Sequence, residues 1–184
     1  MEDNIKLRIV LSLDKNTEKI IKKYNKKINK NINYDIEFKE NCIPHITLIS
    51  GILKNKSDFE KILQIITKSI ENNIKQKLEI NFNDFYYSQD FNWLFLGLED
   101  NQILLDFIGE LRQNLANYLD ISDARHLHVT VAKSSELNKQ KTIINNLNVP
   151  NSFFAENIAI GLSGIHGTLT NIIENFNIKI FKNC

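Results

Sequence analysis

The hydrophobic pattern alternates along the chain between strand-like and helix-like segments. Short apolar runs rich in β-branched residues indicate strands, whereas an apolar residue at every third or fourth position indicates an amphipathic helix. The predicted strands cover residues 5–13, 38–52, 78–87, 91–98, 126–132, 153–162 and 171–181. The predicted helices cover residues 15–32, 101–119 and 135–147, and another begins at Ser57, with Glu60 completing a capping box.

The same alternation of strands and helices occurs in both halves of the chain. No linker or low-complexity segment separates the halves. A chain of 184 residues is of the ordinary size for one domain. We therefore expect an α+β fold in which residues 1–184 form one domain of two similar lobes.

Two predicted strands carry the same short motif, 83 residues apart. The first is His45-Ile46-Thr47-Leu48 and the second is His128-Val129-Thr130-Val131. Side chains two positions apart share one face of a strand. Each motif therefore presents a histidine and a threonine on one face and two apolar residues to the core on the other.

This pairing of residue types suits the cleavage of a phosphodiester bond. An imidazole titrates near neutral pH, so one histidine can take a proton from the attacking group while the other protonates the leaving oxygen. The threonine hydroxyls can donate hydrogen bonds to phosphate oxygens. The sequence therefore predicts His45 and His128 as catalytic residues and Thr47 and Thr130 as substrate-binding residues, with no metal or cofactor.

Composition and charge narrow the range of possible binding partners. Apolar residues make up 42% and charged residues 24% of the chain, which predicts an ordered globular protein. The net charge of +1 gives no basis for coating a duplex, but it allows a nucleotide, an oligonucleotide or an RNA end as the substrate. The two cysteines, Cys42 and Cys184, form no disulfide framework. We expect a monomer in the reducing cytoplasm, without a signal peptide or a membrane partner.

The remaining histidines and the aromatic residues give weaker signals. His166 lies in the glycine-rich segment GLSGIHG, where a turn that contacts substrate is one interpretation. His126 shares a strand face with His128, and we expect it to be structural. Tyr86, Tyr87, Phe91 and Trp93 surround a predicted turn. Tyr86 or Tyr87 is a candidate for stacking on a base, whereas core packing is the expectation for Trp93.

The segments PHITL and HVTVAK resemble the paired His-x-Thr motifs of the 2H phosphoesterase superfamily. Its members include bacterial 2′-5′ RNA ligase-like proteins, 2′,3′-cyclic nucleotide phosphodiesterases, and cellular and viral 2′-5′ oligoadenylate phosphodiesterases. The resemblance implies a bilobal fold, with two antiparallel-sheet lobes related by pseudo-twofold symmetry around a central groove. Relatives often have Ala-Arg after the second motif, where this chain has Ala132-Lys133. Lys133 keeps the charge for binding substrate but lacks the bidentate fork of arginine.

Several functions stay open at this point. A 2′,3′-cyclic phosphate and a 2′-5′ linked oligonucleotide are the leading substrates, with trimming of RNA 3′ ends and hydrolysis of a cyclic-nucleotide signal as alternatives. Threonine rather than serine in both motifs argues against the trimming branch. A non-catalytic nucleotide- or RNA-binding module is a second class. A metal enzyme that uses Asp123, His126 and His128 is a third, although no clustered ligand motif supports it.

Overall fold

A computed structural model of the protein describes residues 5–39, 42–88, 92–122 and 126–178. These residues form ten strands and four α-helices. In chain order they are β1 (Lys6–Ser12), α1 (Lys15–Asn29), β2 (His45–Leu53), α2 (Phe59–Asn73), β3 (Glu79–Ile80), β4 (Phe82–Ser88), β5 (Trp93–Leu98), α3 (Gln102–Leu115), β6 (Leu119–Ile121), β7 (His128–Lys133), α4 (Lys141–Asn145), β8 (Phe153–Phe154), β9 (Asn157–Ser163) and β10 (Leu169–Asn177). Within these ranges, every helix is too short or too polar to cross a bilayer.

Eight of the strands form one antiparallel sheet with two halves. The strand order is β10-β9-β1-β2-β7-β5-β4, and β6 adds to the far end of β2. The halves meet where β2 pairs with β7 through the single register pair Ile46 and Val129. This arrangement confirms the predicted α+β class with antiparallel strands in both halves.

The core lies on the face of the sheet opposite the motif histidines and threonines. Ile46, Val129 and Val131 are fully buried there, in the same apolar cluster as Ile66 of α2 and Leu111 of α3. The apolar positions of each His-x-Thr tetrad therefore hold the two strands on a common core.

A buried amide also fixes α1 beneath the second motif. The side-chain amide of Asn25 donates hydrogen bonds to the carbonyl oxygens of Val131, at 2.9 Å, and Ile36, at 3.2 Å. Asn25 is 1% exposed. Because an unpaired amide is costly to bury, these bonds define one position of the helix against β7.

The structure corrects several predicted boundaries. Ser57 lies in a single 3₁₀ turn and does not cap α2, which begins at Phe59 after Asp58; the predicted capping box is wrong. The helix predicted over 101–119 ends at Leu115, and Leu119 instead starts β6, which pairs with Leu53 of β2. The strand predicted over 38–52 begins only at His45. The predicted end of the last strand, residues 179–181, lies outside the described residues.

Candidate active site

The two His-x-Thr motifs lie side by side at the centre of the sheet. Because β2 and β7 run antiparallel with Ile46 opposite Val129, the register sets His45 beside Thr130 and Thr47 beside His128. All four side chains are partly exposed, whereas Ile46 and Val129 are buried on the opposite face. The structure thus brings the four predicted residues together on one surface.

Backbone carbonyl groups orient the two imidazoles in the same way. Nδ1 of His45 lies 2.8 Å from the carbonyl oxygen of Ile43, and Nδ1 of His128 lies 2.7 Å from that of His126. A carbonyl oxygen can only accept, so Nδ1 carries a proton in each ring and Nε2 is the nitrogen that exchanges one. The two rings therefore have the same tautomer and the same contact with the backbone two residues earlier.

The surroundings of His45 favour its neutral form. Burial lowers the pKa of His45 to about 4, and the positive charges of Arg8 and His128 lower it further. The hydrogen bond to the carbonyl oxygen of Ile43 opposes this effect but does not cancel it. His45 is therefore neutral and able to accept a proton at physiological pH.

Arg8 of β1 is a site residue that the sequence analysis did not single out. Its Nη1 donates to Oγ1 of Thr47 at 2.7 Å, and its Nε donates to Oγ of Ser163 at 3.0 Å. The chain has only three arginines among 23 basic residues, and Arg8 lies within an apolar strand. That unusual placement was the available signal, but Ser163 is 155 residues away in the sequence.

Aromatic rings form a wall on the other side of the histidines. The ring of Phe95 lies 4.1 Å from that of His128, centroid to centroid. Trp93 stacks on Phe95 at 5.7 Å, and Tyr86 packs against Phe95 at 5.2 Å and lies 6.4 Å from His128. Trp93 is half-buried in this wall and is not part of the apolar core, so the predicted core position is wrong. Phe91 lies outside the described residues.

Lys133 and His166 meet at the edge of the groove. The Lys133 ammonium donates to Nδ1 of His166 at 2.6 Å, forms a 3.1 Å salt bridge with Asp35, and lies 5.2 Å from the Trp93 ring centroid. His166 lies in the turn between β9 and β10, as predicted. The structure places this pair with Trp93 rather than with His45.

His126 is exposed, and its carbonyl oxygen accepts the hydrogen bond from His128. Asp123, its partner in the alternative metal site, lies outside the described residues. In the part of the chain that the structure describes, no three His, Cys, Asp or Glu residues come together as they would around a metal ion.

Comparisons with known proteins agree with this geometry. The family model of the AKAP7 2′5′ RNA ligase-like domain matches residues 6–165. Escherichia coli LigT complexed with 3′-AMP is 14% identical with a TM-score of 0.68, and 95% of this chain aligns with 98% of that one. TT0787 of Thermus thermophilus is 12% identical with a TM-score of 0.70, over 95% and 98% of the two chains.

A more distant neighbour is Usb1 of Kluyveromyces marxianus with uridine monophosphate. It is 15% identical with a TM-score of 0.52, over 95% of this chain and 97% of that one. No curated protein matches the sequence significantly. At such low identity the solved structures establish the fold, whereas the family model covers most of the chain and establishes the family. The chain therefore belongs to the AKAP7 2′5′ RNA ligase-like domain family, and it is a phosphoesterase of the 2H superfamily.

Proposed function

We propose that the protein is a metal-independent phosphodiesterase that acts on RNA-type phosphodiesters, either a 2′,3′-cyclic phosphate or a 2′-5′ linkage. The observation that carries the proposal is the pairing of the two His-x-Thr strands across Ile46 and Val129. It places two imidazoles with the same Nδ1 geometry on one surface. Attack and departure at phosphorus need a base and an acid on opposite sides, and this pair can supply both.

In this mechanism His45 is the base and His128 is the acid. Neutral His45 takes the proton from the attacking hydroxyl or water through Nε2. Protonated His128 gives its Nε2 proton to the leaving oxygen as the phosphorus–oxygen bond breaks. The lowered pKa of His45 supports this assignment, because a base must be unprotonated at the working pH.

The hydroxyls and Arg8 would stabilise the charge on the phosphate. Oγ1 of Thr47 accepts from Arg8, so its own proton is available to a phosphate oxygen. Thr130 occupies the corresponding position beside His45. The Arg8 guanidinium adds a positive charge next to Thr47, where charge develops in the transition state. Lys133 and His166, at the groove edge, would contact the parts of the substrate beyond the phosphate.

The aromatic wall supports a nucleotide substrate. Phe95, Trp93 and Tyr86 lie beside His128 and offer surfaces on which a base can stack. LigT with 3′-AMP and Usb1 with uridine monophosphate share the fold. Threonine rather than serine in both motifs remains our reason to place trimming of RNA 3′ ends behind these substrates.

We further propose that residues 1–184 act as one domain and as a monomer in the cytoplasm. One apolar cluster includes Ile9 of the first half and Leu96 of the second half, which supports a single domain. A free Cys42 in a chain with two cysteines fits a reducing compartment.

The test is turnover of a substrate panel by wild-type protein and by the His45→Ala and His128→Ala variants. The panel comprises 2′,3′-cyclic AMP, 2′-5′ and 3′-5′ linked diadenylates and a cyclic dinucleotide, with EDTA present. We expect each variant to lose about 10²- to 10⁴-fold in kcat. Thr67→Ala, at an exposed position on α2, is the control and should keep wild-type activity.

Binding of these compounds without turnover by the wild-type protein would favour the nucleotide-binding module instead. Loss of activity in EDTA that Zn²⁺ or Mn²⁺ restores would contradict metal independence.

A further inference from the structure

A cleft of about 400 Å³ lies at the end of β5 that contains Gly97. Gly97 lines this cleft and pairs with His128 across β5 and β7. Its walls include Asn83, Asp84, Tyr86 and His126. The cleft is thus adjacent to the candidate active site, at the end of β5 away from Trp93.

Two local features of the backbone create this cleft. Gly97 carries no side chain, which leaves open the space beside the Tyr86 ring, the nearest atom of which lies 3.4 Å from the position that a Cβ would take. The register of β4 against β5 shifts between Phe82 and Phe85. Because such an irregularity redirects side chains, Asn83 and Asp84 line the cleft together.

The chemistry of the lining selects a nucleobase over a phosphate. The Asp84 carboxylate repels a phosphate but accepts hydrogen bonds from the amino group of a base. Asn83 offers both a donor and an acceptor. The Tyr86 ring, on a side chain that is 39% exposed, provides a face for stacking.

We propose that this cleft binds the base of a second nucleotide, the one that leaves with the oxygen protonated by His128. The preferred substrate is then a linked di- or oligonucleotide rather than a mononucleoside 2′,3′-cyclic phosphate. The inference rests on the proposed function, because the role of His128 as the acid sets which nucleoside occupies the cleft. In this arrangement the phosphate lies over the paired motifs, and the first nucleoside lies over the Phe95–Trp93 stack.

The experiment compares Asp84→Ala and Gly97→Val with the wild type on 2′-5′ linked diadenylate and on 2′,3′-cyclic AMP. We expect kcat/KM for the diadenylate to fall about tenfold in each variant, whereas Asp84→Ala keeps its rate on 2′,3′-cyclic AMP. Asp120→Ala, an exposed carboxylate on β6, is the matched control and should change neither rate. An equal fall on both substrates, or no fall on the diadenylate, overturns the proposal.

A binding measurement separates this inference from the proposed function. In the His45→Ala background, the diadenylate should bind about tenfold more tightly than AMP, and Asp84→Ala should remove that difference. Equal affinities for the two compounds contradict the second base site, even where the wild type cleaves 2′,3′-cyclic AMP. If the diadenylate binds more tightly than AMP but the wild type cleaves neither the diadenylate nor 2′,3′-cyclic AMP, the result contradicts the proposed function and leaves the second base site standing.

Discussion

Burial and neighbouring positive charge distinguish His45 from an exposed histidine. Its pKa is lowered to about 4, mainly because the charged form loses solvation. An imidazole with a lowered pKa is neutral above that pKa and becomes protonated only as the pH falls through it. His45 thus stays neutral well below pH 6.5, where an ordinary histidine would already be mostly protonated.

The pH profile tests this property. We expect the acid limb of kcat/KM for the free enzyme to lie near pH 4 rather than near pH 6.5, because kcat/KM reports ionisation of the unbound protein. Initial rates on 2′,3′-cyclic AMP between pH 3.5 and 9, with unfolding monitored by circular dichroism, provide the measurement. An acid limb at pH 6 or above would show that His45 is not the base.

Arg8 is predicted to act on both the phosphate and His45. Arg8→Met should lower kcat by about 10²- to 10³-fold and move the acid limb to higher pH, because Arg8 contributes to the lowered pKa of His45. Arg8→Lys should restore the position of the acid limb but only part of the rate, since lysine cannot bond to Thr47 and Ser163 with one planar fork.

Arg112→Met is the control for Arg8. The Arg112 guanidinium donates to the carbonyl oxygen of Ser122 at an exposed site on α3. This variant should keep both the rate and the pH profile of the wild type. An Arg8→Met protein with a normal rate would remove Arg8 from the site.

At the scale of elements, the turn between β9 and β10 closes over Arg8. Its backbone is left-handed at His166, with φ of 56°, and at Gly167, with φ of 68°. A Cβ at Gly167 would lie 2.5 Å from Nη2 of Arg8. Glycine is therefore required at this position both by its backbone conformation and by the close approach of the guanidinium.

Gly167→Ala should consequently cost about 1–2 kcal/mol of the free energy of unfolding and also lower kcat/KM, because the turn and Arg8 must both move. Denaturant unfolding and initial rates measure the two effects. Gly109→Ala is the matched control: its Cβ meets nothing within 4 Å on α3, so it should stabilise the protein by about 0.5–1 kcal/mol with no change in rate. Unchanged activity in Gly167→Ala would show that the turn does not position Arg8.

Elements with a clear hydrophobic period were predictable from the sequence, and those set by distant contacts were not. Within both His-x-Thr tetrads, partly exposed and buried residues alternate, so the presence of a strand and the direction of its side chains followed from the local pattern. Leu115 and Leu119 continue a helical spacing, but pairing of Leu119 with Leu53 places it in β6 instead. Arg8 and Phe95 belong to the site through partners far along the chain, which periodicity does not report.

At the scale of the whole molecule, one buried contact lies at the junction of the two halves of the sheet. Ile46 and Val129 pair at the junction and are both fully buried. Their side chains pack on the core next to the strand positions of His45 and His128. We therefore expect the packing of the core to be coupled to the geometry of the candidate site.

Ile46→Ala tests this coupling against Ile66→Ala, a substitution of the same residue type at an equally buried position on α2. Both should lower the free energy of unfolding by about 2–5 kcal/mol, from lost burial and the cavity left behind. Only Ile46→Ala should also lower kcat/KM at a temperature where both variants remain folded. Equal rates in the two variants would show that the junction does not set the catalytic geometry.

The near symmetry of the two motifs has a consequence for the direction in which a nucleotide chain can bind across them. Each histidine lies beside the threonine of the other strand, so the centre of the groove looks alike from either end. A phosphodiester also looks alike from its two ester oxygens until the attached sugars are compared. The two ends of the site are distinguished by the low pKa of His45 and by the flanking residues, which are Arg8 and Ser163 on one side and Phe95 and Tyr86 on the other. An enzyme that cleaves with the opposite polarity therefore needs both an exchange of these flanking residues and an exchange of the environments of His45 and His128.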